Sequence, residues 1–353
     1  DQIDELLLQP LDDEGNAQSV EILYPLQFLH CPAFGWLHWT GTHWNPAGGE
    51  AEVKRAITRT IRIRAHLGVD KNRPDMQKKS VATRSKVAGA LYQLESLLHI
   101  DAAEFDSDPM ILNVKNGVLD LRDGVLYKHY PKSNRSTYVI PIEYEPGIDY
   151  SEVENHLAED IANAEVMIPF IKRAIGYSLT GMTRDEKVFY LYGPPRSGKG
   201  TFTEMLLALL GRPFAREVDF ESLTDKRIGD TNRADLAVLR NARFLVASES
   251  NRRYSMNAAT IKHLSGGNEV FCALKFRDHF SYRPQYKMWL VSNWEMSTDV
   301  DDDAAWGRLV LIEFPNGHLG KENEKRKERT RHPDFQKALL TWAVEGAREW
   351  WTS

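Results

Sequence analysis

The chain has 353 residues, with 45 Lys and Arg against 50 Asp and Glu and 42% hydrophobic residues. That length suits two or three domains, and the composition excludes a wholly disordered or collagen-like chain. A net charge of −5 argues against non-specific coating of nucleic acid, but it leaves room for a local basic site.

No apolar run approaches the ~18 residues of a membrane span. The acidic start Asp1-Gln2-Ile3-Asp4-Glu5 is unlike a signal or transit peptide. It also lacks a Met, so the sequence reads as part of a longer chain. Cys31 and Cys272 lie far apart and match no metal-ligand spacing. They suit a reducing, cytoplasmic setting.

Residues 1–108 read as a mainly helical accessory region. Ala51–Leu67 and Val87–Ile100 have helical apolar spacing, and polar, basic Lys71–Lys86 reads as a loop. Trp36, Trp39 and Trp44, around Thr40-Gly41, predict two short strands with packed aromatic rings. In 109–150 short apolar runs are separated by Asn116-Gly117 and Asp123-Gly124, which predicts a small β-meander. Residues 151–182 return to helical spacing as a connector.

From 183 to 353 the pattern is that of an α/β domain. Val188–Tyr192, Phe244–Ala247, Met288–Val291 and Leu309–Phe314 read as buried parallel strands. Lys321–Arg331 is a charge run expected to be a solvated loop, and Phe335–Trp351 an amphipathic helix.

The strongest motif is Gly193-Pro194-Pro195-Arg196-Ser197-Gly198-Lys199-Gly200-Thr201. An apolar strand precedes it. A helix with Phe202, Met205, Leu206, Leu209 and Leu210 on one face follows, the context a P-loop requires. Glycines let backbone N–H groups turn around phosphate oxygens, the helix N-terminus adds partial positive charge, and Lys199 reaches the β- and γ-phosphates. Gly200 stands where Ser or Thr usually binds Mg²⁺. Either Thr201 takes the metal or other ligands carry more of it.

Three later features belong with this loop. One apolar strand ends at Glu249, a carboxylate able to hold Mg²⁺ or polarise water. Another ends in Ser292-Asn293, whose amide is placed to orient water. Arg308 stands at the start of the last strand, a candidate to stabilise phosphoryl-transfer charge.

These residues resemble the helicase module of phage and plasmid primase–helicases, a branch of superfamily 3 related to the poxvirus primase–helicase. Asn113–Leu121 resembles the family's accessory segment, and Ile175–Gly181 its helix leading into the motor. The P-loop, Glu249, Leu264–Asn268, Phe280–Pro284, Ser292-Asn293 and the Arg308 segment follow in the family's order. The resemblance covers the chain well from about residue 109 onward. It implies an AAA+-like core and a homo-oligomeric ring, expected to be a hexamer. It also implies ATP- and Mg²⁺-dependent movement along single-stranded DNA, 3′ to 5′ by class. Lys199 then binds phosphates, Glu249 is the acid that serves metal and water, Asn293 is the polar sensor, and Arg308 acts on a neighbour's nucleotide. Relatives often carry two adjacent arginines at the last motif, whereas here Gly307 precedes Arg308. No paired-carboxylate primase motif is found, so a primase is expected upstream or as a partner.

From Arg240 to Lys287 nine basic residues face three acidic ones. Alternation over Glu269–Pro284 predicts a hairpin with Lys275, Phe276 and Arg277 near its tip, suited to phosphates and base stacking. The leading expectation is an ATP-driven DNA helicase. The alternatives are a nucleotide-gated origin-binding scaffold with weak ATPase, and a small-molecule kinase. The 192 residues ahead of the P-loop argue against the kinase.

Overall fold

The computed structural model describes residues 2–219, 238–248, 261–262, 265–266, 269–273, 279–295, 303–317 and 324–353. It forms two compact units. One comprises Asp1–Ser107 with His129–Val139, the other Asp108–Lys128 with Ile140–Ser353.

The first unit begins with α1 (Gln2–Leu8) and α2 (Asp13–Leu23). Asp12 caps α2 by accepting from the Gly15 N–H at 2.9 Å. Strands β1 (Phe28–Cys31), β2 (Gly35–Trp39) and β3 (Trp44–Asn45) form an antiparallel sheet, one strand more than the tryptophans predict. Helices α3 (Gly49–Asp70), α4 (Pro74–Lys79) and α5 (Arg84–Leu97) follow. Val53, Ala56, Ile57 and Ile61 form the buried face of α3, packed with Ala17, Val20, Trp36 and Leu94. Arg64 is fully buried on the same helix and donates to Asn16 Oδ1 at 2.7 Å and to the Gln9 carbonyl at 2.9 Å. The segment expected as a loop contains α4: Pro74 sits at its first turn, where a missing N–H costs nothing, and Met76 anchors it in the interior.

The second unit opens with the expected meander, β4 (Ile111–Val114), β5 (Gly117–Asp120) and β6 (Leu126–Tyr127). Asn116 fixes its first turn by donating to the Tyr144 carbonyl and accepting from the Tyr144 N–H, both at 2.9 Å. Helices α6 (Ser151–Ala158) and α7 (Ala164–Leu179) lead to β7 (Val188–Tyr192), α8 (Lys199–Leu210), β8 (Ala215–Asp219) and β9 (Phe244–Ser248). A hairpin, β10 (Val270–Ala273) with β11 (His279–Tyr282), precedes β12 (Lys287–Val291), α9 (Asp303–Trp306) and β13 (Leu309–Glu313). The chain closes with α10 (Glu324–Thr330) and α11 (Pro333–Thr352).

Five strands form one parallel sheet in the order β13-β7-β12-β9-β8. The interior strands β7, β12 and β9 are buried on both faces, which explains their unbroken apolar runs, whereas β13, expected as a buried strand, lies at the edge and buries only Ile312. Val188, Tyr190, Leu245, Ala247, Met288 and Leu290 share one core cluster. Phe189 stacks on Trp289 with ring centroids 4.2 Å apart, and Phe202 of α8 and Phe244 join them. Edge strand β8 escaped sequence reading because Arg216, Glu217 and Asp219 break its apolar run. The fold is therefore mixed α/β, with a helical N-terminal region and a parallel sheet.

Two further expectations are corrected. Within the charge run, Glu324–Thr330 is a helix, not a solvated loop. Lys327 and the following Arg331 pair with Glu204 of α8, and Arg329 pairs with Glu152 of α6. Arg243 and Lys287, counted among nine basic residues near the chemistry, are buried and structural. Arg243 donates to the carbonyls of Leu179 and Ile111 at 2.7 and 2.8 Å. Lys287 holds the carbonyls of Thr180, Met182 and Gln285, and burial beside Arg243 pushes its pKa far down. No helix among the described residues is long and apolar enough to cross a membrane.

Candidate functional site

The Gly193–Gly198 loop leaves the carboxyl end of β7 and enters α8 at Lys199. Its turns need glycine. Gly193 has φ +145°, and a Cβ there would stand 2.0 Å from the Phe314 carbonyl oxygen. Gly198 has φ +95° and is the N-cap of α8. Arg196 also takes positive φ, so the loop curls on itself while Pro194, Pro195 and Arg196 stay exposed.

Lys199 is buried in this loop. Its Nζ donates to the carbonyls of Gly193 and Pro194, both at 2.8 Å, and to Ser197 Oγ at 3.0 Å. Burial lowers its pKa. The ammonium is thus held where α8 presents its unpaired N–H groups, and both favour an anion. Gly200 is exposed, and a Cβ there would meet nothing within 4 Å. Half-buried Thr201 is the first hydroxyl after the lysine.

Asn293 follows β12, whose last residue, Val291, pairs with Leu191 of β7. The Ser292 N–H donates to the Leu191 carbonyl at 2.9 Å, which brings exposed Asn293 to the same sheet edge as the loop. Ser248, the end of β9, pairs with Val291 at that edge. Glu249 comes next and lies outside the described residues, as do Lys275, Phe276 and Arg277. The hairpin that predicts their place is present, with Ala273 opposite His279.

Arg308 is not brought to the loop. It precedes β13 at the amino edge of the sheet, where its carbonyl accepts from the Val188 N–H at 2.8 Å. Its guanidinium pairs with Glu186 at 2.5 Å and donates to Ser265 Oγ at 2.9 Å. The strand between it and the loop spans about 16 Å.

Two residues at the loop were not foreseen. Asp160, in the turn after α6, packs on Gly198, and Arg326 of α10 pairs with Asp160 at 3.0 Å. No local sequence signal marks either, because each lies far from the motif. No group of three or more His, Cys, Asp or Glu suited to a metal ion occurs among the described residues.

Comparison with known proteins adds a family context. Residues 20–162 match the family described as D5 N terminal like, and residues 191–308 match a family of unknown function (DUF5906). The primase–helicase resemblance holds. A provisionally named helicase of Acanthamoeba polyphaga mimivirus, L207/L206, is 25% identical over 226 residues, covering 63% of this chain and 23% of that protein. A second, 022R of Frog virus 3 (isolate Goorha), is 25% identical over 152 residues, covering 41% of this chain and 15% of that protein. The chain thus spans a quarter or less of the curated relatives it matches. A solved structure of the NrS-1 C-terminal region superposes with TM-score 0.45 at 14% identity, covering 64% of this chain and 53% of that one.

Proposed function

We propose that the chain is the motor part of a primase–helicase-like replication protein, an ATP-dependent superfamily 3 DNA helicase with an AAA+-like core. The observation that carries this reading is the loop Gly193–Gly198 with Lys199 buried at the start of α8, at the sheet edge that Asn293 shares. In this reading residues 183–353 are the motor. Residues 1–108, 109–150 and 151–182 are its accessory region, meander and connector. The motor works as a ring, proposed as a hexamer, moving 3′ to 5′ on single-stranded DNA, with a primase upstream or as partner.

The loop fits a nucleotide: its glycines leave no Cβ in the turn, and its lysine supplies charge. ATP supplies the phosphoryl group whose hydrolysis drives movement. Loop amides and Lys199 bind and orient the phosphates, while Asn293 orients water. For Mg²⁺ the residues offered are Thr201 and Glu249, and the open space at Gly200 leaves room for a hydrated ion. Lys275, Phe276 and Arg277 engage DNA.

ATP turnover with and without single-stranded DNA tests the reading. DNA-stimulated hydrolysis that disappears in Lys199→Ala, by several powers of ten, is expected. Dependence on a nucleoside monophosphate instead marks a kinase. Negligible turnover by a folded, DNA-binding chain marks a scaffold.

A further inference from the structure

Asp160 is only 3% exposed, and its carboxylate lies directly against the P-loop. A Cβ on Gly198 would stand 2.3 Å from Asp160 Oδ2, so the carboxylate occupies the space a side chain there would fill. This places a buried negative charge one residue from Lys199, beside a loop built for an anion. Left alone, that charge opposes a polyphosphate, and burial weakens the screening that salt would give.

Arg326 counters it. Its Nη1 contacts both Asp160 oxygens at 3.0 Å, its Nε pairs with Glu159 at 3.2 Å, and its Nη2 donates to the His156 carbonyl at 2.5 Å. Helix α10, which carries it, is anchored to both flanking helices through Glu204 of α8 and Glu152 of α6. Ala162 N–H donates to the Glu313 carbonyl at 3.1 Å, and Asn316 Nδ2 donates to the Glu159 carbonyl at 3.3 Å. The turn that bears Asp160 is therefore tied to the same segment, Glu313–Asn316, that closes over Gly193.

We propose that Asp160 and Arg326 are positioning residues of the nucleotide site. Asp160 holds the Gly198 turn by packing against it, and Arg326 cancels the Asp160 charge so that a nucleoside triphosphate can enter. This rests on the nucleotide reading above. The pair acts through the loop and through local charge, and neither residue is assigned a part in the chemical step.

The test is binding of Mg²⁺ with a fluorescent ATP analogue, together with kcat and KM for hydrolysis, in the full chain. Arg326→Ala removes the guanidinium that pairs with Asp160, and binding should weaken about tenfold or more. The loss should appear in KM more than in kcat. Adding Asp160→Asn to Arg326→Ala keeps the shape and removes the charge, so binding should recover most of that loss. A purely structural contact gives the opposite, a double variant no better than the single. If Arg326→Ala does not fold, Arg326→Gln, which removes the charge but keeps a shorter polar side chain with an amide donor, carries the same comparison. Wild-type affinity in the single variant, or no recovery in the double, overturns the proposal while leaving the nucleotide reading intact. A wild-type chain that binds no ATP analogue overturns that reading, and the brace with it.

Discussion

His156 shows how a single residue near the loop sets the response of the fold to acid. It is buried in α6, with its ring edge-on to Phe335 at 5.6 Å, and burial lowers its pKa from 6.5 to about 4. The neutral imidazole is the form that fits. As pH falls below 6.5 the unfolded chain takes up a proton that the folded chain refuses until about 4. Stability present above pH 6.5 is therefore lost across that window, by at most about 3 kcal/mol. Urea midpoints at pH 7, 6 and 5 should fall steadily. His156→Phe, which retains the ring contact, should flatten the upper part of that fall. An unchanged slope would place the titration in another group. Lys199 carries a related lesson. A P-loop lysine reads from sequence as a residue outside the apolar core, yet here it is buried and satisfies two loop carbonyls and Ser197. Lys199→Ala should thus also lower the unfolding free energy, by about 1–3 kcal/mol, because those buried carbonyls lose their donor. A thermal melt indistinguishable from wild type would mean that water replaces the lysine at no cost.

At the scale of elements, α7 and α11 cross in close backbone contact. A Cβ on Gly176 would stand 2.0 Å from the Ala347 N, and one on Gly346 would stand 2.0 Å from the Lys172 carbonyl oxygen. Both obstacles are backbone, so neither can swing away. Beside the crossing Lys172 pairs with Glu345 at 3.1 Å and with Glu349 at 3.0 Å, which locks the register of the two helices. Gly176→Ala should force the helices apart and cost about 3 kcal/mol, lowering Tm by roughly 5–10 °C. A melt within a degree of wild type would refute the close crossing. Elements of this kind were legible in sequence to unequal degrees. The three central strands β7, β12 and β9 were readable because burial on both faces gives unbroken apolar runs, and edge strand β13 because Leu309–Ile312 are apolar although only Ile312 among them is buried. Helix α10 was not, because it is polar nearly all round and its order comes from Glu152 and Glu204, more than a hundred residues away. The turn from Gly193 to Gly198 was readable because its geometry is local, needing only glycines and the flanking strand and helix. Asp160 and Arg326 meet that loop only through tertiary folding, so no spacing rule could place them there.

At the scale of the whole molecule, the sheet separates the two charges that the proposed ATP hydrolysis would use together. Lys199 sits past the carboxyl end of β7, and Arg308 sits ahead of the amino end of β13. Leu309 pairs with Val188 and Glu313 with Tyr192, so the two groups lie at opposite ends of neighbouring strands. Side-chain reach cannot bridge about 16 Å of strand. If Arg308 acts on a nucleotide, that nucleotide belongs to another copy of the chain. Its salt bridge to Glu186 then holds the half-buried guanidinium at the amino end of the sheet, and approach of a second subunit's phosphates must outcompete it. Turnover per subunit should accordingly rise with protein concentration. Arg308→Ala should retain ATP binding and lose hydrolysis as a pure population, by about a thousandfold. Lys199→Ala should lose hydrolysis for a different reason, since it lacks its own phosphate contact. Mixed together, the two variants create interfaces that pair an intact loop with an intact arginine, and some turnover should return. Recovery in the mixture, with none in either variant alone, is the result that assembly in trans requires. Full activity of wild-type chain at dilutions where sedimentation shows only monomer would exclude it, and Arg308 would then be a structural partner of Glu186 and Ser265.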